Sequence, residues 1–198
     1  MKTMRRDPTI RAVQRLQWIT IAWMSVEFSV AVVAGIRASS VALTSFGMDS
    51  GIELLSASVA LWRFHSGQTK EMVSRWIDVA LLYALTAYIL ISSFAFLLRH
   101  NFRPQVSPVG IVVLAIAAII MPWLGHEKRK LAHATGSGAV RADAAQSAVC
   151  AYMSWIALIG LALNAAFRLA WADPVAALLL VPLILYEANA ARKGGNCC

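Results

Sequence analysis

The stretch FGMDSGIELLSA, from Phe46 to Ala57, places two carboxylates in apolar surroundings, those of Asp49 and Glu53. Residues four apart project from the same face of a helix, with β-carbons about 5–6 Å apart. Two like charges at that distance repel, and each makes the other harder to ionise. The pair becomes tolerable when a divalent cation lies between the carboxylates or when one holds a proton. The stretch therefore indicates metal–proton exchange, and a structural polar pair bonded to other helices is the alternative.

The composition is that of a membrane protein. Of 198 residues, 59% are hydrophobic and 14% are charged, and the mean hydropathy is +0.64. A soluble domain is nearer half apolar, with about a quarter of its residues charged. We predict an all-α polytopic membrane protein, because six segments reach or approach the length of about 20 residues that crosses a bilayer. The six segments are Leu16–Gly35, Val41–Phe64, Trp76–Leu98, Ser107–Gly125, Gly136–Phe167 and Trp171–Asn189.

Three regions are predicted along the chain: a basic cytoplasmic tail (1–15), a six-helix transmembrane domain (16–191) and a short cytoplasmic tail (192–198). A removable signal peptide is the competing interpretation of the amino end. The first apolar run is longer than the usual signal core, however, and no small-residue cleavage pattern closes it. We expect a first spanning helix there and no separate soluble domain.

The basic residues predict an orientation. Thirteen lysines and arginines fall on one side of the predicted topology, four fall on the other, and Arg141 lies inside a helix. The larger group includes Lys128, Arg129 and Lys130 in the predicted loop between the fourth and fifth helices. The positive-inside rule places both ends in the cytoplasm. This asymmetry accounts for the net charge of +8, so we expect lipid rather than nucleic acid around the protein, in a bacterial cytoplasmic membrane.

The second and fifth predicted helices align at an offset of 97 residues, with Asp49 on Gln146 and Glu53 on Cys150. Both helices then carry a polar pair four residues apart at the same depth. Transporters are often built from such repeats, with the substrate site between them near the membrane midplane. Glu27 in the first helix is a further intramembrane acid. Its two interpretations are a structural hydrogen bond to a neighbouring helix and a role in transport.

Three segments resemble those of the cation diffusion facilitators: SVALTSFGMDSGIELLSASVALWR their second transmembrane helix, SGAVRADAAQSAVCAYMSWIALIGL their fifth and WADPVAALLLVPLILYEA their sixth. The chain also resembles the small zinc-transporting vesicle-membrane proteins that consist of this domain alone. The resemblance implies that zinc is bound by four residues of the second and fifth helices. The matching positions here are Asp49, Glu53, Gln146 and Cys150.

The chain departs from the family pattern at the ligands. Gln146 and Cys150 replace a His and an Asp of many members, and the family's histidine-bearing loop and cytoplasmic metal-sensing domain have no counterpart. Zinc accepts oxygen and sulfur ligands in tetrahedral geometry, and a thiolate also favours softer ions such as cadmium. Because glutamine is a weak ligand, Asp143 or a water could complete the shell. Ser147 and Glu27 are the other auxiliary candidates.

Residues outside the predicted spans are candidates for loading the metal. We expect His126 and His133 on a cytoplasmic loop, HEKRKLAH, where a solvated loop without a metal role is the alternative. The vicinal thiols of Cys197 and Cys198 could capture a soft metal, and the alternatives for them are lipidation or no role.

These patterns and the resemblance predict a secondary transporter that exports a divalent transition metal, zinc foremost. We expect proton antiport with alternating access, in a homodimer formed through the transmembrane helices. The alternative is a non-transporting metal-binding or regulatory membrane protein. The predicted spans hold no Ser-His or two-His metal arrangement, so we expect no enzyme activity and no organic cofactor.

Overall fold

The computed structural model describes residues 8–66, 71–98, 104–135 and 138–192. These residues form six α-helices and contain no strand, which confirms the predicted all-α fold. The helices are α1 (Pro8–Ala38), α2 (Val41–Ser66), α3 (Glu71–Leu98), α4 (Pro108–Thr135), α5 (Gly138–Phe167) and α6 (Ala172–Arg192).

Five of these helices, all except α2, are long and apolar enough within the described residues to cross a membrane. The exception carries two acids and several hydroxyl side chains, which lower its hydropathy. Residues 40–47 at its start are all buried, so protein rather than lipid surrounds this end of α2. Together the five apolar helices make the chain an integral membrane protein.

The helices associate in pairs. The most extensive contacts are those of α4 with α5, α1 with α2 and α3 with α6, and α2 also contacts α3, α5 and α6. Large apolar side chains such as Ile91, Leu98 and Ile119 are exposed on the outside. An apolar outer face is what a bundle in hydrocarbon requires, because lipid cannot satisfy polar groups. The helix that carries Asp49 and Glu53, α2, contacts α1, α3, α5 and α6.

The start of α2 is held by two neighbouring segments. Ser39 adopts a left-handed conformation (φ 52°) just after α1 ends, and the N–H of Ser40 donates to the carbonyl of Gly35 at 2.9 Å. Both features are typical of a helix C-terminal cap. The side chain of Asp173 in α6 accepts a hydrogen bond from the N–H of Val41 at 2.8 Å. A helix start bonded in this way leaves little freedom in the register of the residues that follow.

The predicted loop between the fourth and fifth spans is wrong for residues 126–133. His126 and His133 lie within α4, which continues to Thr135. Glu, Lys, Arg, Leu and Ala are strong helix formers, so the charged sequence does not end the helix. Leu124, Lys128 and Ala132 are buried at helical spacing and continue the inward-facing stripe of α4. Lys128 is therefore an interior residue rather than a loop charge.

Two glycines of the opening stretch let α1 and α2 approach closely. A β-carbon at Gly47 would lie 2.8 Å from the backbone nitrogen of Val32. One at Gly51 would lie 2.7 Å from the ring of Phe28. Small residues permit this kind of close packing between membrane helices.

Gly47→Ala should destabilise the protein, because the added methyl group meets backbone that cannot rotate away. We expect a cost of about 1–3 kcal/mol, seen as a thermal midpoint lower by about 3–10 °C in detergent. Gly125→Ala is the matched control, since a β-carbon there has its nearest neighbours at 3.6 Å. It should be neutral or stabilising, because alanine favours a helix over glycine. Equal midpoints for the two variants would show that the α1–α2 contact does not need glycine.

Candidate metal centre

The α2–α5 contact brings together three of the four predicted ligands. One ligand atom each from Asp49, Glu53 and Cys150 lies within 4.8 Å of the others, and all three residues are buried. Around a tetrahedral zinc ion, neighbouring oxygen and sulfur ligands lie about 3.5 Å apart, given metal–ligand distances of about 2.0–2.3 Å. Small side-chain movements would therefore close the cluster around an ion, and its hard and soft donors suit a transition metal.

The remaining predicted ligands are placed less directly. Gln146 is half-buried on α5, about one turn before Cys150, and its role as the fourth ligand stays a prediction. The side chain of Asp143 lies outside the described residues, as do Cys197 and Cys198. Ser147, an auxiliary candidate, is buried on the same helix.

Asp49 has polar atoms that the described residues leave unsatisfied. Neither of its carboxylate oxygens accepts a hydrogen bond there, although the residue is only 1% exposed. A buried acceptor without a partner costs about 1–3 kcal/mol, and a charged one costs more. A bound cation or proton would remove this cost.

Glu27 joins α1 to the same cluster. Its Oε1 accepts a hydrogen bond from the hydroxyl of Ser50 at 2.6 Å and one from the thiol of Cys150 at 3.9 Å. The hydrogen bonds to neighbouring helices proposed from the sequence are thus present, to both α2 and α5. They also place this acid beside the cluster, where it contributes further negative charge.

Glu187 of α6 was missed by the sequence analysis. It is buried, and its charge lies close enough to Asp49 and Glu53 to interact with both. Neither of its carboxylate oxygens accepts a hydrogen bond from the described residues. An ionisable residue inside an apolar span is by itself a reason to expect function. Applied to WADPVAALLLVPLILYEA, that rule would have found it.

Lys128 was also missed, because it was counted as a loop charge. It is 2% exposed, and its ammonium donates a hydrogen bond to the hydroxyl of Ser147 at 2.8 Å. By contrast, His126 and His133 are exposed on α4. Their predicted role in metal loading stays a prediction.

A family model for the cation efflux transmembrane domain matches residues 18–191. The chain belongs to the cation efflux family. The predicted resemblance to cation diffusion facilitators is thereby confirmed, and the domain is one that transports divalent metal cations. No individual curated protein matches the sequence. Within the cation efflux domain, the cluster of Asp49, Glu53 and Cys150 is a buried group of suitable ligands at a helix interface.

Cys150→Ser should weaken cadmium binding by about tenfold more than zinc binding, because the lost ligand is the soft one. Asp49→Asn should weaken both ions by about tenfold or more, since it removes a charge that either ion uses. Both affinities are measured by titration calorimetry on monodisperse protein in which Cys197 and Cys198 are replaced by serine. That background removes the tail thiols as competing ligands. An unchanged ratio of zinc to cadmium affinity in Cys150→Ser would remove Cys150 from the site.

Proposed function

We propose that this protein exports a divalent transition metal, zinc foremost, from the cytoplasm in exchange for protons. Asp49, Glu53, Cys150 and Gln146 bind the ion between α2 and α5. The observation that carries the proposal is the buried cluster of two carboxylates and one thiol, whose ligand atoms lie within 4.8 Å of one another. Oxygen and sulfur donors of this kind match zinc and, through the thiol, softer ions.

Proton coupling follows from the charge of the cluster. Glu27 and Glu187 add two buried carboxylates to those of Asp49 and Glu53. Several carboxylates this close do not all ionise unless a cation is present. A metal ion that binds to deprotonated ligands displaces protons, and protons returning from the other side displace the metal.

Alternating access fits the way the helices pack. Asp49, Glu53 and Cys150 are 1%, 6% and 0% exposed, so an ion reaches them only when the bundle opens. The α2–α5 contact is far less extensive than the α1–α2 and α4–α5 contacts on either side of it. The same two pairs also meet through α1 and α4. Their separation would open both contacts while each pair keeps its own, as in transporters built from repeats.

Two further parts of the proposal come from the sequence. Both chain ends face the cytoplasm, which the distribution of lysine and arginine supports. The protein forms a homodimer through its transmembrane helices, as the family resemblance implies. Size-exclusion chromatography with light scattering tests the second point in detergent.

Proteoliposomes made from this chain alone test the transport cycle. Zinc supplied outside should enter faster when the lumen is made more acidic, because luminal protons displace zinc from the carboxylates. A fluorescent zinc indicator in the lumen reports the rate. Asp49→Asn should abolish the flux. Ser58→Ala, which changes an exposed hydroxyl on the same helix, should keep it.

The outcomes separate the parts of the proposal. A flux that ignores the luminal pH would contradict antiport while leaving the metal site intact. Zinc binding without flux under any gradient would instead favour a metal-binding or regulatory protein.

A further inference from the structure

Glu187 is a buried acid on α6 whose carboxylate has no hydrogen-bond partner. The residue is 7% exposed, and neither of its carboxylate oxygens accepts a hydrogen bond from the part of the chain that the structure describes. An ionisable residue buried within a membrane span is costly and is by default a candidate for function. The proposed function counts Glu187 only as a negative charge and gives it no contact with the metal ion.

The packing of α6 turns Glu187 inward. Leu180, Ile184 and Ala188 form a stripe at helical spacing, and each is 0% exposed. Glu187 lies three residues after Ile184, so its side chain projects beside this stripe. Tyr186, the residue before it, is 56% exposed and points outward. The carboxylate of Glu187 therefore lies among the helices rather than toward lipid.

The level of Glu187 along the bundle follows from the common start of α2 and α6. The N–H of Val41, the first residue of α2, donates to the carboxylate of Asp173 in the first turn of α6. Both helices begin at this point, and they contact each other. At a rise of 1.5 Å per residue, Glu53 lies about 18 Å along α2 from Val41, and Glu187 lies about 21 Å along α6 from Asp173. The two acids are thus at nearly the same level.

The charge of Glu187 interacts with the metal cluster. Asp49 and Glu53 both act on Glu187 electrostatically, and Glu187 acts in turn on the thiol of Cys150. The oxygens of Glu187 are not among the ligand atoms that lie within 4.8 Å of one another, so this acid lies beside the cluster. A rotation of its side chain is needed to bring it to an ion. Such a rotation breaks no hydrogen bond to the described residues, because the carboxylate accepts none from them.

We propose that Glu187 is a further metal ligand, which α6 contributes to the ion in the α2–α5 cluster. This inference rests on the proposed function, because it concerns the same ion. The three clustered donors leave a tetrahedral ion one ligand short, and zinc also accepts a fifth ligand. The amide of Gln146, the predicted fourth ligand, is weak and uncharged, so a carboxylate from α6 adds a stronger oxygen donor. The ion then joins three helices instead of two.

Zinc affinities of two Glu187 variants test the inference. Glu187→Leu removes the donor, and it should bind zinc about tenfold or more weakly than the native protein. Glu187→His supplies a neutral nitrogen donor in place of the carboxylate, and it should recover most of the lost affinity. Tyr186→Phe is the matched control, because it removes an oxygen from the neighbouring exposed position. Its affinity should stay within about twofold of native.

Each affinity is measured by calorimetry in a chain with Cys197 and Cys198 replaced by serine. The thermal midpoint without metal shows that the variants fold. Glu187→Leu should melt at or above the native midpoint, because the variant no longer buries an unpartnered carboxylate. Zinc should raise the midpoint of the native protein and of Glu187→His more than that of Glu187→Leu, since a ligand that binds the folded state stabilises it. A Glu187→Leu midpoint far below native without metal would assign the acid a structural role and overturn the inference.

The absorption of bound cobalt separates a metal ligand from a nearby charge. Cobalt(II) accepts the same kinds of donor as zinc, and its visible bands depend on the number and type of its ligands. At saturating cobalt, Glu187→Leu should shift these bands because an oxygen donor is lost. Glu187→His should shift them differently, because a nitrogen donor replaces the oxygen. Tyr186→Phe should keep the native spectrum.

The outcomes distinguish this inference from the proposed function. If the native protein binds neither zinc nor cobalt, the proposed metal site fails and this inference fails with it. If the native protein binds metal and Glu187→Leu binds it equally well, only the role of Glu187 is overturned. Weaker binding in both Glu187 variants with unshifted cobalt bands would also overturn it, because the loss of a distant charge accounts for that result.

Discussion

The bundle encloses carboxylates that are removed from water, and this desolvation has a large free-energy cost. Glu27, Asp49, Glu53 and Glu187 are buried on three helices of a membrane protein, where each ionised group costs several kcal/mol unless a cation compensates it. Lipid offers no compensation, so protein must enclose all four. The arrangement is tolerable only with protons or a metal ion nearby. The same constraint that makes the cluster costly would favour the binding of a cation there.

The register of α2 depends on contacts at some distance from the cluster. Asp173 of α6 bonds the first N–H of the helix, and Gly47 and Gly51 let α1 lie directly against it. These contacts fix which face of α2 points at α5, and hence where Asp49 and Glu53 lie. The α1–α2 contact is close and extensive because backbone meets backbone, whereas the α2–α5 contact at the candidate metal cluster is much less extensive.

The candidate ligands differ from the donor set that the family resemblance led us to expect. The cation efflux domain extends over residues 18–191, yet the fifth helix presents Gln146 and Cys150 where the resemblance led us to expect histidine and aspartate. A thiol at the centre of an acidic cluster is a soft donor among hard ones. Its hydrogen bond to Glu27 also ties α5 to α1. In the proposed site, the preference among ions would therefore depend on a few side chains.

The sequence by itself determined the class of the protein and the acid pair. Hydropathy is a local property, so six apolar helical segments and the same-face position of Asp49 and Glu53 follow from the sequence alone. The 97-residue alignment also predicted that Cys150 lies near this pair, and the structure places the three side chains together. Only the tertiary structure showed that Glu187 lies near these residues, because that depends on which face of α6 turns inward. The burial of Lys128 was equally out of reach, since a charged stretch after an apolar run looks like a loop until the neighbouring helix covers it.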